Sequence, residues 1–261
     1  MSATPTPRRL YVHDDLTEAA WTASHRRHAI VRLVTDLFTC ARREPHAAVL
    51  TLPEQVDAVL ARGAYPPFAT TIGIGPAGER VARQLHARAG WFPSIVRVDV
   101  LRVETIGGEY ALTGPAPLRA QLAGITAPGP LAIVDDTLFS GLTLRAVVSA
   151  LPYEARHRAR IFCLRGVAES VPAVARLCPV TIGFAAPGRI LTDVSFINAG
   201  GLVRRGAIRR AGASPLAFFE RPEWMQAWFP ACAAEVVGVC RRLHALLDGP
   251  AGASFGAARA V

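Results

Sequence analysis

Two adjacent carboxylates, Asp135 and Asp136, follow the apolar run Leu131-Ala-Ile-Val134 and lead into Thr137-Leu-Phe-Ser-Gly-Leu-Thr143. Leu144 to Ala150 then has the spacing of an amphipathic helix, so the order is strand, loop, helix, with the polar groups at the junction. Open α/β sheets bind ligands at such junctions. A loop with Ser140, Gly141 and Thr143 at a helix start offers backbone N–H groups, two hydroxyls and the positive helix end, a combination suited to a phosphate. Asp135 and Asp136 are poor phosphate ligands but good acceptors for sugar hydroxyls or for the water shell of Mg²⁺. The ligand implied is a phosphorylated sugar.

A second strand, glycine turn and helix precede the first. Phe68 to Ile74 reads as the strand, Gly73-Ile-Gly75-Pro-Ala-Gly78 as the turn, and Val81 to Ala89 as the helix after Glu79 and Arg80. The glycines fit the GxGxxG dinucleotide fingerprint, and Asp99 stands about twenty residues on, where a ribose-binding acid is sought. Against that reading, Asp99 falls inside an apolar run that continues through Val100 and Leu101. The glycines suit a diphosphate whether or not it belongs to a dinucleotide, because they let backbone N–H groups approach an anion closely.

Taken together, these residues resemble the phosphoribosyl-pyrophosphate (PRPP) motif of the type I phosphoribosyltransferases: an apolar strand, two acids, then a short loop rich in Thr, Ser and Gly. Family members usually carry a small aliphatic residue at the place of Thr137 and often Thr at that of Ser140. The resemblance implies an α/β fold with a central parallel sheet, helices on both faces and a C-terminal hood that receives the acceptor. It further implies Mg²⁺-dependent transfer of 5-phosphoribosyl from PRPP to an acceptor, with release of pyrophosphate. Asp135 and Asp136 would then hold the ribose hydroxyls, directly or through the metal's water. Thr137, Leu138, Phe139, Ser140, Gly141, Leu142 and Thr143 would cradle the 5′-phosphate. Gly75, Pro76, Ala77 and Gly78 would face the pyrophosphate with Arg80 as charge partner. In the family a flexible loop brings a basic residue to the leaving group; Arg102 and Arg119 are the candidates, although the family's short loop motif is not found here. No segment of residues 190–261 resembles the base-recognition segments of the purine or pyrimidine salvage enzymes, so the acceptor stays open, with an unusual base or a natural-product precursor in view.

The rest of the chain must position this site. Ala29, Ile30, Leu33, Val34, Leu37 and Phe38 predict a helix over 24–43 covering one side of the sheet, and a strand over 46–52 and a helix over 53–62 follow. Ser94 to Glu104 reads as one strand. The interval Thr105 to Pro130, rich in Gly and Pro, reads as either a lid or a hairpin around Gly107-Gly108. Strands over 160–166 and 179–185 flank a short helix over 170–177, so strands and helices alternate across 46–185, the signature of a parallel sheet. The expected organisation is a flexible segment 1–23, an α/β core 24–186, a hood and C-terminal helix 187–247, and a flexible tail 248–261. Trp224 and Trp228, four apart, fit helix packing better than a base-stacking shelf.

Composition bounds the alternatives. The 261 residues are 51% hydrophobic, and the net charge of +9 comes from arginine alone, since lysine is absent. A basic chain attracts anionic ligands and, less specifically, nucleic acid. No apolar run approaches a membrane span, and Met1 to Arg9 has no signal-peptide core, so no membrane role and a cytoplasmic location are expected. Five cysteines, scattered and without a Cys-x-x-Cys pair, suggest buried thiols rather than disulfides or zinc. His25 and His28 read as surface residues. PRPP and a small-molecule acceptor are the partners implied, and a homodimer is compatible with them. The readings left beside the transferase are a PRPP- or nucleotide-sensing regulator of the same fold, binding RNA through the arginines at 204–210, and an NAD(P)-dependent oxidoreductase.

Overall fold

The computed structural model describes residues 7–17, 26–125, 128–189 and 193–248. In chain order it contains β1 (Arg9–His13), α1 (Arg27–Arg42), β2 (Ala47–Leu50), α2 (Leu52–Leu60), β3 (Thr70–Ile74), α3 (Gly75–Ala89), β4 (Ile95–Val98), β5 (Leu101–Glu104), β6 (Tyr110–Thr113) and α4 (Leu118–Leu122). There follow β7 (Leu131–Leu138), α5 (Leu142–Ala150), α6 (Tyr153–Arg156), β8 (Ala159–Val167), α7 (Val171–Ala175), β9 (Val180–Ala186), β10 (Val194–Asn198), α8 (Ala199–Val203), α9 (Pro222–Trp228) and α10 (Ala233–Asp248). Among the described residues no helix is long and apolar enough to cross a membrane. The described chain divides into two compact units, Pro53–Ile190 and the pair of segments Met1–Leu52 and Leu191–Val261.

The unit of residues 53–190 is the expected α/β layer structure. Its five strands are all parallel, in the order β4-β3-β7-β8-β9. β7 is central and reads as continuous apolar sequence because both its faces are covered. Ile72, Ile133, Ile161 and Cys163 pack with Leu144, Val147 and Val148 of α5 and Leu122 of α4. Phe68, Trp91, Phe92 and Phe162, with Tyr65 at the edge, form a separate aromatic cluster with ring centroids 5.0–6.2 Å apart. The connection through α3 carries the chain from β3 outward to β4, and that through α5 carries it from β7 in the other direction to β8. The strand order therefore reverses between β3 and β7, the place where open sheets bind ligands.

The structure departs from the expected elements in three places. The run 94–104 is two strands in different sheets, because the Gln121 amide bonds both the N–H and the C=O of Asp99 and takes them from any ladder. β5 then pairs antiparallel with β6, so residues 101–113 are a hairpin turning at Gly108, whose φ of +81° suits glycine. β7 runs on to Leu138, placing both acids inside the strand rather than after it. The third difference lies in the first fifty residues. β2 pairs with β1, not with the five-stranded sheet, and α1 packs on α10 and β2.

The second unit has its own parallel sheet, ordered β10-β1-β2, and its own core of residues from α1, α8, α9 and α10. β1 lies within the segment 1–23 that reads as flexible; its alternation of buried Leu10 and Val12 with Tyr11 was too short a signal beside the prolines. The remainder of that segment outside 7–17, His25, and the tail after residue 248 lie outside the described residues. Trp224 and Trp228 pack together with Phe218, their ring centroids 5.4 Å apart. Of the arginines at 204–210, Arg205 is held by Glu220 at 2.7 Å, and Glu220 also accepts the N–H of Ala217 at 2.9 Å.

That pair makes a pH prediction. The Arg205 hydrogen bond holds the Glu220 carboxyl below the ordinary range. A carboxyl depressed in the folded state stabilises above its unfolded pKa and loses that contribution as pH falls through the folded one. Glu220→Gln is expected to cost up to about 1 kcal/mol at pH 7. Urea unfolding should show the difference disappearing once pH drops below the 4.5 of a free glutamate.

Candidate functional site

The site grows from the end of β7. Asp135 lines a small open pocket with Arg102, Thr137, Leu138, Phe139, Gly141, Leu142, Thr143 and Leu144. Asp135 and Thr137 are two apart in a strand and so share a face. Burial, and then the neighbouring Asp136 charge, push the Asp135 carboxyl well above the usual carboxylate range, while its Oδ1 accepts the Asp136 N–H at 2.8 Å. The loop after the strand turns at Gly141, which has a φ of +72°. A Cβ on Gly141 would also come under 3.0 Å from the Val174 methyl, so glycine is required twice over. Gly141 caps α5, whose first-turn residues Leu142, Thr143 and Leu144 line the pocket and whose first N–H groups have no helix carbonyl to bond.

Arg102 reaches this place from the β5–β6 hairpin. Its guanidinium carbon lies 5.8 Å from the centroid of the Phe139 ring, within cation–π range. The sequence left Arg102 and Arg119 as equal candidates; the structure brings Arg102 to Asp135 and leaves Arg119 exposed on α4, outside the pocket lining. Ser140 is exposed at the turn, its Oγ 3.4 Å from the Leu142 N–H, and does not line the pocket.

The glycine motif stands alongside. Gly73 of β3 is in register with Val134 of β7, so Gly75 leaves the sheet at the edge where Asp135 and Asp136 lie. The helix begins earlier than the sequence suggests, at Gly75 with Pro76 in its first turn, and Arg80 follows within it. Gly75 has a φ of +59° and open space where a Cβ would be, the condition for close approach of an anion. Gly78 serves packing instead: a Cβ there would stand under 3.0 Å from the Val134 carbonyl oxygen. Asp99 lies just past the end of β4 rather than inside a strand, and its carboxylate is held by Arg97 at 2.7 Å.

Asp136 does not line the pocket. Its Oδ2 takes a 2.8 Å ion pair from Arg165, a residue of β8 that also donates to Gln55 of α2 at 2.7 Å. Sequence reasoning missed Arg165 and Gln55. The signal available was Arg165 directly after the apolar run Ile161-Phe-Cys-Leu164, where a charge entering a buried strand requires a partner. Among the described residues no group of three or more His, Cys, Asp or Glu is placed to hold a metal. Mg²⁺ needs no such cage, since it keeps waters and binds through one or two carboxylates plus substrate phosphates. Asp135, beside Thr137 and the phosphate-type loop, fits that mode.

No protein-family profile and no curated protein matches the sequence. Among solved structures the chain is similar to a purine phosphoribosyltransferase from Pyrococcus horikoshii Ot3, 21% identical over 56% of this chain and 89% of that one, with a TM-score of 0.37. It is similar to an orotate phosphoribosyltransferase from Aeropyrum pernix, 18% identical over 50% and 69%, TM-score 0.35. A third likeness is to a hypothetical protein from Neisseria gonorrhoeae with bound ppGpp, 14% identical over 56% and 85%, TM-score 0.40. At this identity and these scores no activity follows from the likeness.

Proposed function

We propose that the unit of residues 53–190 binds PRPP and transfers its phosphoribosyl group to a small-molecule acceptor, releasing pyrophosphate. The supporting observation is the pocket at the end of β7 in which Asp135, Thr137, Phe139, Gly141, Thr143 and Arg102 meet. Asp135 accepts hydrogen bonds from the ribose hydroxyls. The turn at Gly141 and the first turn of α5 receive the 5′-phosphate, and the first turn of α3 at Gly75 faces the diphosphate. Asp135 would hold Mg²⁺ through its water shell, and the ion would supply positive charge against the diphosphate.

Transfer forms a bond from the acceptor's nucleophilic atom to C1 and breaks the C1–O bond to pyrophosphate, through a cationic sugar. The chain's part is positioning and electrostatics: it fixes the sugar by Asp135, anchors the phosphate, and offers Arg102 to the charge on the leaving group. Arg102 is exposed and packs on Phe139, so Arg102→Ala should leave the unfolding temperature unchanged. Steady-state kinetics should then show kcat reduced by about tenfold or more.

A dinucleotide reading has one observation in its favour, the position of Asp99 at the carboxyl end of β4 beside the GxGxxG turn. Arg97 already engages that carboxylate, and Asp135 with its loop has no part in dinucleotide binding. Incubation with PRPP, Mg²⁺ and a panel of acceptors tests the proposal, with mass spectrometry for a gain of phosphoribose and an assay for pyrophosphate. Product formation supports the transferase. PRPP binding with no pyrophosphate from any acceptor favours a sensor, and binding of NAD(P) alone favours the oxidoreductase.

A further inference from the structure

Arg165 is a charged side chain only 1% exposed, in the strand next to the site. It joins three elements: β8, which carries it, β7 through Asp136 at 2.8 Å, and α2 through Gln55 at 2.7 Å. Its register partner on β7 is Thr137, which lines the pocket. A buried ion pair is weak evidence of a stabilising role, since apolar residues of the same size serve stability as well. Its geometry does point to a use. Asp136, between two pocket residues, is absent from the pocket lining and engaged by Arg165 instead.

We propose that Arg165 is a positioning residue for the phosphosugar site: it holds Asp136 away from the pocket and ties it to Gln55, leaving Asp135 as the acid of the pair that meets the ribose hydroxyls. The proposal rests on the PRPP reading and refines it. Two acids that look equivalent in sequence do different work, one on the ligand and one on the strand that carries it. Gly166 supports the same stretch from β8, since a Cβ there would stand 2.8 Å from the Leu138 carbonyl oxygen and push the strand ends apart.

Calorimetric titration of PRPP with MgCl₂ into five full-length proteins tests this: wild type, Asp135→Asn, Asp136→Ala, Asp136→Asn, and the apolar double replacement Arg165→Met with Asp136→Leu. Near-UV circular dichroism reports whether each keeps its packing. Asp136→Asn retains an oxygen for Arg165, and the double replacement removes the buried charge together with its partner. Loss of hydrogen bonds to a charged group predicts binding weaker by about 50-fold or more in Asp135→Asn, about 20-fold in Asp136→Ala, and about threefold in Asp136→Asn. That rescue by the conservative variant is what a positioning role requires. The double replacement should fall by no more than about tenfold. Should it fail to fold, Asp136→Asn still decides. Equal losses in Asp135→Asn and Asp136→Asn overturn the proposal while leaving the PRPP reading intact; a wild-type chain that does not bind PRPP overturns both.

Discussion

Asp135→Asn is expected to lower PRPP-dependent turnover by about 100-fold or more without lowering the unfolding temperature, each charge-assisted hydrogen bond to a sugar hydroxyl being worth about 1.5–3 kcal/mol. The two halves of that result have different causes. Turnover falls because asparagine accepts from the ribose hydroxyls without a charge. Stability does not fall because the native site disfavours the ionised carboxyl: burial and the Asp136 charge raise its pKa well above the usual range. An acid raised in the folded state destabilises its charged form at neutral pH, so a neutral replacement removes a cost. Pyrophosphate release and thermal unfolding of the same preparation check both. Asparagine at both Asp135 and Asp136 is expected to abolish turnover in a folded chain, and full activity in that double variant would contradict the assignment.

Gly78→Ala is expected to be the most damaging small substitution in the unit, at about 3 kcal/mol or more, the upper range for overpacking a core. The new methyl would lie under 3.0 Å from the backbone carbonyl oxygen of Val134, the residue before Asp135 on the central strand. Backbone in a parallel ladder cannot step aside as a side chain can. Either α3 moves away from β7, carrying the Gly75 turn with it, or the end of β7 shifts, and both disturb the site. Gly75→Ala makes the contrast. It meets nothing within 4 Å, so its cost is confined to the φ of +59°, about 1 kcal/mol. Denaturant unfolding of the two variants should rank Gly78→Ala well below Gly75→Ala in stability.

Much of the sheet and its ligand edge was legible in the sequence because each strand there is followed by turn chemistry. Val134 and the two acids, with Gly141 behind them, mark one strand and helix junction, and Gly73 to Gly78 mark the other; the structure sets them side by side through the register of Gly73 with Val134. What could not be read was anything decided by pairing across the chain. The alternation from Ser94 to Glu104 looks like one strand because local periodicity cannot show that Gln121 takes the hydrogen bonds of Asp99. β2 looks like a prelude to the main sheet and β1 like part of a flexible segment, yet β2 pairs with β1, and β1 with β10, a strand from the far end of the chain. The same limit hid the difference between the two acids. Adjacent carboxylates are identical as sequence, and only Arg165 on the next strand separates them.

On the proposed reading this pocket takes PRPP. Titration of the wild-type chain with PRPP in the presence of Mg²⁺, repeated with NAD⁺ and NADP⁺, tests it most directly. Saturable heat with PRPP, weakened by about 50-fold or more in Asp135→Asn and absent for both dinucleotides, is the predicted result; a dinucleotide that binds where PRPP does not would contradict it.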